Sequence, residues 1–169
     1  MASTLLLALG SNIEPRRNLS QALALLSLQL DITAVSSVYE TKPVGGAPQP
    51  AYLNAAVLAR SDTAPERLKH GLLRPIEARL GRVRSADRYA PRTIDIDIAL
   101  YGDLVCVDEK AGLEIPDPEI ELQAHLAVPL AEVAPDLVHP VSGRTLTDIA
   151  EQFQGRPEVR RVTFALGVP

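Results

Sequence analysis

Two aspartates stand two residues apart in the otherwise apolar stretch PRTIDIDIAL, at residues 91–100. Asp95 and Asp97 alternate with isoleucines, a pattern that predicts a β-strand with one buried face and places both carboxylates on the other face. Carboxylate oxygens bind hard divalent cations, and pairs of Mg²⁺ ions about 3.5–4 Å apart serve phosphoryl-transfer reactions. Asp95 and Asp97 are therefore candidate metal ligands.

An arginine cluster lies immediately before these aspartates. Arginine side chains match the geometry of phosphate oxygens, so acids beside a basic loop are suited to a metal-bound nucleotide polyphosphate. An edge strand whose acids form salt bridges with its own arginines would look the same, and the residues alone leave both interpretations open. The cluster comprises Arg79, Arg82, Arg84, Arg88 and Arg92, with Asp87 among them.

The composition is that of a globular protein rather than a disordered one. The chain has 169 residues, of which 46% are hydrophobic and 22% are charged, and we expect one domain over residues 1–169. A formal net charge of −4 argues against a general nucleic-acid-binding surface. The lone Cys106 excludes an internal disulfide, and we find no signal pattern or membrane-length apolar run. We therefore expect a cytoplasmic protein without nucleic-acid or membrane partners.

Hydrophobic periodicity predicts strands that alternate with helices. Pro75 is expected to kink the second helix, Pro129 to divide the third, and the proline- and glycine-rich residues 42–50 to form a loop. The order strand, helix, strand, strand, helix, strand is typical of the split βαβ motif, so we predict an α+β, ferredoxin-like sandwich with an appended hairpin and C-terminal helices. The predicted strands are residues 4–9, 32–39, 52–59, 93–100, 104–107 and 159–164, and the predicted helices are residues 15–30, 64–80, 122–133 and 145–152.

Four segments together resemble one enzyme family. They occur in the family's order and spacing, and the string GRVR…R…PRTIDIDI is highly specific. On these motifs the chain resembles the 6-hydroxymethyl-7,8-dihydropterin pyrophosphokinases of folate biosynthesis. The segments are LALGSN (7–12), SSVYETKPVGGAPQPAYLNAAV (36–57), IEARLGRVRSADRYAPRTIDIDIALYGD (76–103) and VPLAEVAPDLVHPVSGRTL (128–146).

The resemblance implies a reaction and a metal requirement. Members of the family transfer the terminal pyrophosphoryl unit of ATP to the hydroxymethyl group of the pterin and release AMP, with two Mg²⁺ ions and a ferredoxin-like fold. By this resemblance Asp95 and Asp97 bridge the metal ions, in agreement with the interpretation of the strand pattern. The catalytic residues that it implies are Arg82, Arg92, Asp95 and Asp97.

The resemblance also implies a set of ATP-binding residues. Arg82 and Arg92 match the arginines that contact the triphosphate, and Arg84 and Arg88 could assist them. Glu77 matches an acid near the nucleotide, although a salt bridge between Glu77 and a neighbouring arginine is the alternative interpretation. The implied ATP-binding residues are Glu77, Arg82, Arg84, Arg88, Arg92 and Ile98.

Pterin recognition falls on the middle segment. A pterin is flat and has a donor–acceptor edge, so its site needs an aromatic platform and an amide-type partner. By resemblance Tyr52 stacks on the ring and Asn54, on the same strand face, binds the edge. The adjoining loop would contribute backbone groups from Thr41, Pro43 and Val44.

The segment LEIPDPEIELQAHLAVP, residues 113–129, departs from the family pattern. Asp117 stands where the family typically has histidine, Gln123 where it has arginine, and His125 where it has a phenylalanine that stacks on the pterin. Asp117 and Gln123 replace groups that could donate hydrogen bonds to phosphate, and an ionised Asp117 would repel the triphosphate. His125 could still stack on the pterin. A local insertion near residues 108–112 would shift this match and is a third possibility.

Four functions are therefore considered. The leading hypothesis is a monomeric pyrophosphokinase whose substrates are ATP and a hydroxymethyl dihydropterin. One alternative is a pterin-binding homologue with weakened or altered kinase activity, which the departures at residues 117–125 suggest. Another is a kinase for a modified pterin. A ferredoxin-like RNA-binding module is disfavoured, because the chain is acidic and has only two phenylalanines with which to stack on bases.

Overall fold

The computed structural model describes residues 1–43, 45 and 47–167. The strands among these residues are β1 (Ser3–Ser11), β2 (Asp31–Val35), β3 (Tyr39–Thr41), β4 (Tyr52–Ser61), β5 (Asp95–Tyr101), β6 (Cys106–Asp108), β7 (Leu113–Ile115) and β8 (Val159–Arg161). The helices are α1 (Pro15–Ser27), α2 (Pro65–Leu68), a π-helical segment (Lys69–Leu73), α3 (Arg74–Arg79), α4 (Ala124–Val133) and α5 (Leu146–Glu151).

Six of these strands form one antiparallel sheet. Its order is β5-β1-β4-β3-β8, and β2 pairs with the same strand, β4, as β3 does. The two strands that the first helix joins are thus separated by β4, as the split βαβ motif requires. The predicted α+β, ferredoxin-like class is confirmed. The two short strands β6 and β7 form an appended hairpin, but only its first strand was predicted, because β7 is absent from the predicted strands.

The two faces of the sheet are covered to different extents. On one face, Leu5, Leu7 and Leu9 of β1 belong to a core that includes apolar residues of α1, α2 and α3. On the other face, Leu6 belongs to a second core with α4 and α5. Because successive side chains of a strand point to opposite faces, β1 serves both cores. The second core includes Ala56 and Leu100, whereas the part of this face that carries Asp95, Asp97, Tyr52 and Asn54 borders a cavity.

The prediction of one continuous strand over residues 32–39 is wrong. The structure divides it into β2 and β3, with Ser36 between them. The Ser36 N–H donates to the carbonyl of Ala56, and Ser36 Oγ accepts the Ala56 N–H at 2.8 Å. The serine side chain therefore replaces a backbone carbonyl and lets the chain bend without leaving a buried donor unpaired.

The two helical prolines have different effects. The predicted disturbance at Pro75 is confirmed: the helix widens just before it, and the N–H of Arg74 donates to the carbonyl of Lys69, five residues earlier. The prediction that Pro129 divides the third helix is wrong, because α4 runs through it from Ala124 to Val133. In α4 the missing N–H of Pro129 removes one hydrogen bond of the second turn, and the helix continues because Leu126 and Leu130 pack in the second core. Among the described residues no helix is long and apolar enough to cross a bilayer.

The ends of several elements also differ from prediction. Residues 104 and 105 form no strand, and β6 begins at Cys106, after a turn at Gly102 whose φ of 51° favours glycine. The last strand ends at Arg161 rather than at residue 164. These are boundary errors of one to three residues, and they leave the order of elements unchanged.

Candidate active site

A cavity of about 360 Å³ lies on the partly uncovered face of the sheet. Its wall includes residues of β1, β4 and β5, of the loop after β3, of the arginine loop and of the first turn of α4. Ala8 and Gly10 of β1 lie between the polar side chains of the two neighbouring strands. Small residues at these positions leave room above the centre of the sheet.

The strand register sets the spacing of the site. Gly10 pairs with Asn54 of β4 on one side and with Asp95 of β5 on the other. Asn54 and Asp95 therefore lie two strands apart, about 10 Å between Cα atoms. A Cβ atom at Gly10 would lie 3.3 Å from Oδ1 of Asn54, so glycine permits this close approach. The sheet thus holds the amide of Asn54 and the acidic pair at a fixed separation.

The acidic pair has an excess of negative charge. Burial first, and the charge of Asp95 second, raise the pKa of Asp97 to about 7, although Arg74 lowers it. Asp95 has a cationic partner, since Arg92 Nη1 lies 2.6 Å from its Oδ2. Both aspartates line the cavity. Among the described residues no group of three or more His, Cys, Asp and Glu side chains is arranged to hold a metal ion.

Glu77 anchors the strand that carries the acidic pair. Its side chain is 1% exposed, and its Oε1 accepts the N–H of Ile96, the residue between the two aspartates, at 2.8 Å. Its Oε2 lies 2.7 Å from Arg74 Nη1 and 2.6 Å from Arg84 Nη2. Burial raises the pKa of Glu77, while the Ile96 N–H and Arg74 oppose that change. The structure contains the salt bridge that the sequence left as the alternative for Glu77.

The predicted ATP-binding arginines are only partly brought together. Arg88 and Arg92 line the cavity, whereas Arg84 is paired with Glu77. Arg82 lies outside the cavity wall, and its buried Nε and Nη1 atoms have no hydrogen-bond partner among the described residues. Two of the four arginines thus line the cavity that contains the acids, and Arg92 contacts one of them.

The predicted pterin residues converge on the opposite side of the cavity. Tyr52, Asn54 and Thr41 all line it. Asn54 Nδ2 donates to Thr41 Oγ1 at 2.8 Å and to the carbonyl of Tyr39 at 3.3 Å, an arrangement that leaves Oδ1 for a ligand donor. Pro43 is not among the described residues of the wall, and Val44 lies outside the described residues.

The departing segment contributes to the same cavity. Asp117, Gln123 and His125 all line it, which supports the ungapped match to the family pattern rather than a shift. Burial raises the pKa of Asp117, and its Oδ1 accepts the N–H of Glu119 at 2.8 Å. Burial lowers the pKa of His125, so its ring is neutral at pH 7.

A second cavity of about 220 Å³ adjoins the outer edge of β5. Asp97 and Asp117 line both cavities, so the two spaces meet at these acids. Ile98, which the resemblance assigned to ATP, lines the second cavity with Leu73 of the π-helical segment. Asp97 therefore lies between two spaces that could each take a substrate.

Comparison with known proteins identifies the family. The family model described as 7,8-dihydro-6-hydroxymethylpterin-pyrophosphokinase matches residues 6–135. The chain belongs to this family. It is 41% identical over 147 residues to the 2-amino-4-hydroxy-6-hydroxymethyldihydropteridine pyrophosphokinase of Synechocystis, covering 85% of this chain and 73% of that protein. It is 40% identical over 154 residues to the Haemophilus influenzae enzyme of the same name, covering 89% and 92%.

Solved structures support the fold of a pyrophosphokinase. The HPPK-DHPS protein of Plasmodium falciparum matches with a TM-score of 0.73 at 13% identity. The match covers 95% of this chain and 48% of the Plasmodium chain, so this chain spans about half the length of that protein. At this identity the likeness concerns the fold alone.

Sequence reasoning missed a chain of hydrogen bonds, called the polar clasp below, that joins two loops beside the cavity. Asn12 is buried; its Oδ1 accepts the Arg92 N–H at 2.8 Å and its Nδ2 donates to Gln49 Oε1 at 2.7 Å. Gln49 Nε2 then donates to the carbonyl of Tyr89 at 2.8 Å. The clasp ties the end of β1 to the proline-glycine loop and the arginine loop. The signal was an asparagine directly after an apolar strand, within the quoted motif LALGSN.

Asp97→Asn should remove a pH dependence of stability. The carboxyl group has an ordinary pKa of 3.8 but keeps its proton to about pH 7 in the folded protein. Between these values the folded state binds more protons than the unfolded chain, so the free energy of unfolding falls as the pH rises. Urea unfolding with a chelator should show that, from about pH 5 to about pH 7.5, the free energy of unfolding falls more for wild type than for the variant.

Asp103→Asn, at an exposed position, is the matched control and should keep the wild-type dependence. An equal fall in the free energy of unfolding of wild type and Asp97→Asn would contradict the raised pKa of Asp97.

Proposed function

We propose that this chain, as a cytoplasmic monomer, transfers pyrophosphate from ATP to the hydroxymethyl group of 6-hydroxymethyl-7,8-dihydropterin. The observation that carries the proposal is the junction of two cavities at Asp97 and Asp117. One cavity has an aromatic ring and an amide, and the other has an apolar wall along a strand edge. Family membership and the names of the relatives support the same reaction.

The second cavity is suited to the base of ATP. Ile98 and Leu73 supply apolar surface, and β5 is an edge strand, which has backbone groups free to pair. At that edge the N–H of Ile96 pairs with Glu77 and the carbonyl of Ala99 accepts the Asp117 N–H. A purine bound between these two hydrogen bonds would use the backbone of Ile98 and direct its phosphates toward Asp97.

The acidic pair fits magnesium. Asp95 and Asp97 offer oxygen ligands, and the raised pKa of Asp97 reflects a need for positive charge. Mg²⁺ ions are commonly held by one or two carboxylates, with water and substrate phosphates completing the octahedron, which agrees with a site of two acids. When bound, the ions neutralise the polyphosphate and orient it for in-line attack.

The arginines are suited to stabilise the charge that the transfer moves. Attack by the hydroxymethyl oxygen on the β-phosphorus forms one P–O bond and breaks the bond to the α,β-bridging oxygen, which leaves with AMP, while the hydroxyl proton passes to solvent water. Arg92 lies beside Asp95 and could exchange this partner for a phosphate oxygen. The unpaired atoms of Arg82 give it a similar capacity after a movement of the arginine loop. Arg84 would act through Glu77, which it contacts.

The pterin would occupy the first cavity. Tyr52 offers a ring for stacking, and Oδ1 of Asn54 could accept hydrogen bonds from the amide and amino groups of the pterin edge. The neutral ring of His125 offers a second flat surface. Backbone groups of Thr41, and of Pro43 and Val44 as the resemblance implies, would complete the edge recognition.

A pterin-binding homologue with weakened or altered kinase activity is the second candidate. The acids Asp117 and Glu119 in the cavity wall favour it, because they present negative charge where a polyphosphate would pass. A kinase for a modified pterin is a variant of this candidate, for which His125 is the cue. Both alternatives predict pterin binding without efficient AMP release from ATP when 6-hydroxymethyl-7,8-dihydropterin is the acceptor.

Asp95→Asn and Asp97→Asn should each lower kcat for pterin-dependent AMP formation by at least about 100-fold, because each removes a charged metal ligand at the transferred group. Circular dichroism should show that both variants fold. Asp103→Asn is the control for loss of one exposed carboxylate and should keep wild-type turnover. Substantial turnover in both cavity variants would overturn the metal assignment.

His125→Ala should raise KM for the pterin by about 2- to 10-fold, since aromatic stacking contributes about 0.5–1.5 kcal/mol, and should leave KM for ATP nearly unchanged. His125→Phe keeps a flat ring and should retain pterin affinity. Steady-state kinetics with each substrate varied would measure both constants. Equal changes in the two KM values would argue against stacking on the pterin.

A further inference from the structure

The cavity proposed for the nucleotide has an unusual balance of charge. Three carboxylates line it, from Asp97, Glu114 and Asp117. Among the described residues of its wall, Lys69 carries the single basic side chain. A polyphosphate entering such a cavity needs positive charge. By the resemblance, Asp117 in this wall and Gln123 in the wall of the first cavity stand where the family typically has groups that supply it.

The ammonium group of Lys69 is held at the cavity by one hydrogen bond and has donors left for a ligand. Its Nζ donates to the carbonyl of Gly112, in the turn between β6 and β7, and this is its one hydrogen bond to the described residues. No described carboxylate lies within salt-bridge distance of it. Burial and the charge of Arg74 lower the pKa of Lys69, and the charges of Asp97, Glu77 and Asp95 oppose that change. An ammonium has three donors, so two remain for a ligand.

The helix geometry explains how a lysine reaches this wall. Lys69 is the first residue of the π-helical segment, and the bond from the Arg74 N–H to its carbonyl spans five residues. Pro75 cannot donate to the preceding turn, so the wide turn accommodates one more residue than an α-helix would. Such π-helical turns occur frequently at functional sites.

We propose that Lys69 binds the phosphate chain of the nucleotide and replaces the positive charge that Asp117 and Gln123 do not provide. This inference rests on the proposed function, because it requires ATP in the second cavity. The contact with the carbonyl of Gly112 holds the side chain beside the cavity in the free protein. On binding, the two remaining N–H groups of the ammonium donate to phosphate oxygens, between the base and Asp97. Lys69 is thus a binding residue rather than a group that takes part in bond making.

The test is the affinity for a nucleotide that cannot react. α,β-Methylene-ATP lacks the bridging oxygen at which the reaction would break the chain, so calorimetry with Mg²⁺ reports binding alone. Lys69→Met keeps the aliphatic stem and should weaken binding by about 10- to 100-fold. Lys69→Gln keeps a donor for the Gly112 carbonyl but no charge, and should weaken binding similarly. Lys110→Met, an exposed lysine, is the matched control and should bind as wild type does.

Pterin affinity, measured on the same proteins, separates a phosphate contact from a structural role. Unchanged pterin binding and unchanged thermal unfolding in Lys69→Gln, with weakened nucleotide binding, would support the proposal. Wild-type nucleotide affinity in both Lys69 variants would overturn it, as would an equal loss of nucleotide and pterin affinity. If wild type itself binds no α,β-methylene-ATP, the proposed function fails as well, which distinguishes the two failures.

Discussion

The arrangement of this protein depends on negative charge that one edge strand carries into a partly buried site. Asp95 and Asp97 lie on β5 beside Asp117, and the pKa of Asp97 rises because burial and Asp95 both disfavour its ionised form. Charges are expensive to bury without partners. Arg92 compensates one aspartate in the free protein, and the remaining deficit is what a divalent cation and its phosphate ligands would satisfy. The same charge that costs stability would thus favour binding of the proposed metal ion.

The rest of the fold holds this charge in place. Glu77 joins α3, the arginine loop and β5 through Arg84 and the N–H of Ile96, while Asn12 ties β1 to the backbone of Arg92. The two anchors hold Arg84 and Arg92, and the arginine loop extends between these residues. Binding of a polyphosphate would therefore change the partners of guanidinium groups, whereas the acids keep positions set by the strand register. This division suits a site that must admit two substrates and then exclude water.

Local patterns predicted the sheet and the acidic pair, but not contacts between distant residues. The alternation around Asp95 and Asp97 has a period of two, so one segment sufficed to assign the strand and the face. The break at Ser36 depends on a serine side chain replacing a carbonyl opposite Ala56, and Pro129 is tolerated inside α4 because packing outweighs propensity. Lys69 was not identified, since its cavity forms with Gly112 and Asp117, more than 40 residues away in sequence. Resemblance supplied the residue roles that no local pattern encodes.

The most direct test of pyrophosphoryl transfer is AMP formation from Mg-ATP by the purified protein, measured with and without 6-hydroxymethyl-7,8-dihydropterin. The account predicts AMP release that requires the pterin and matches, mole for mole, the pyrophosphorylated pterin formed. That result would show that Asp117 and Gln123 are compatible with catalysis. Absence of AMP from a protein that still binds the pterin would contradict the account and favour a pterin-binding homologue or a different pterin substrate.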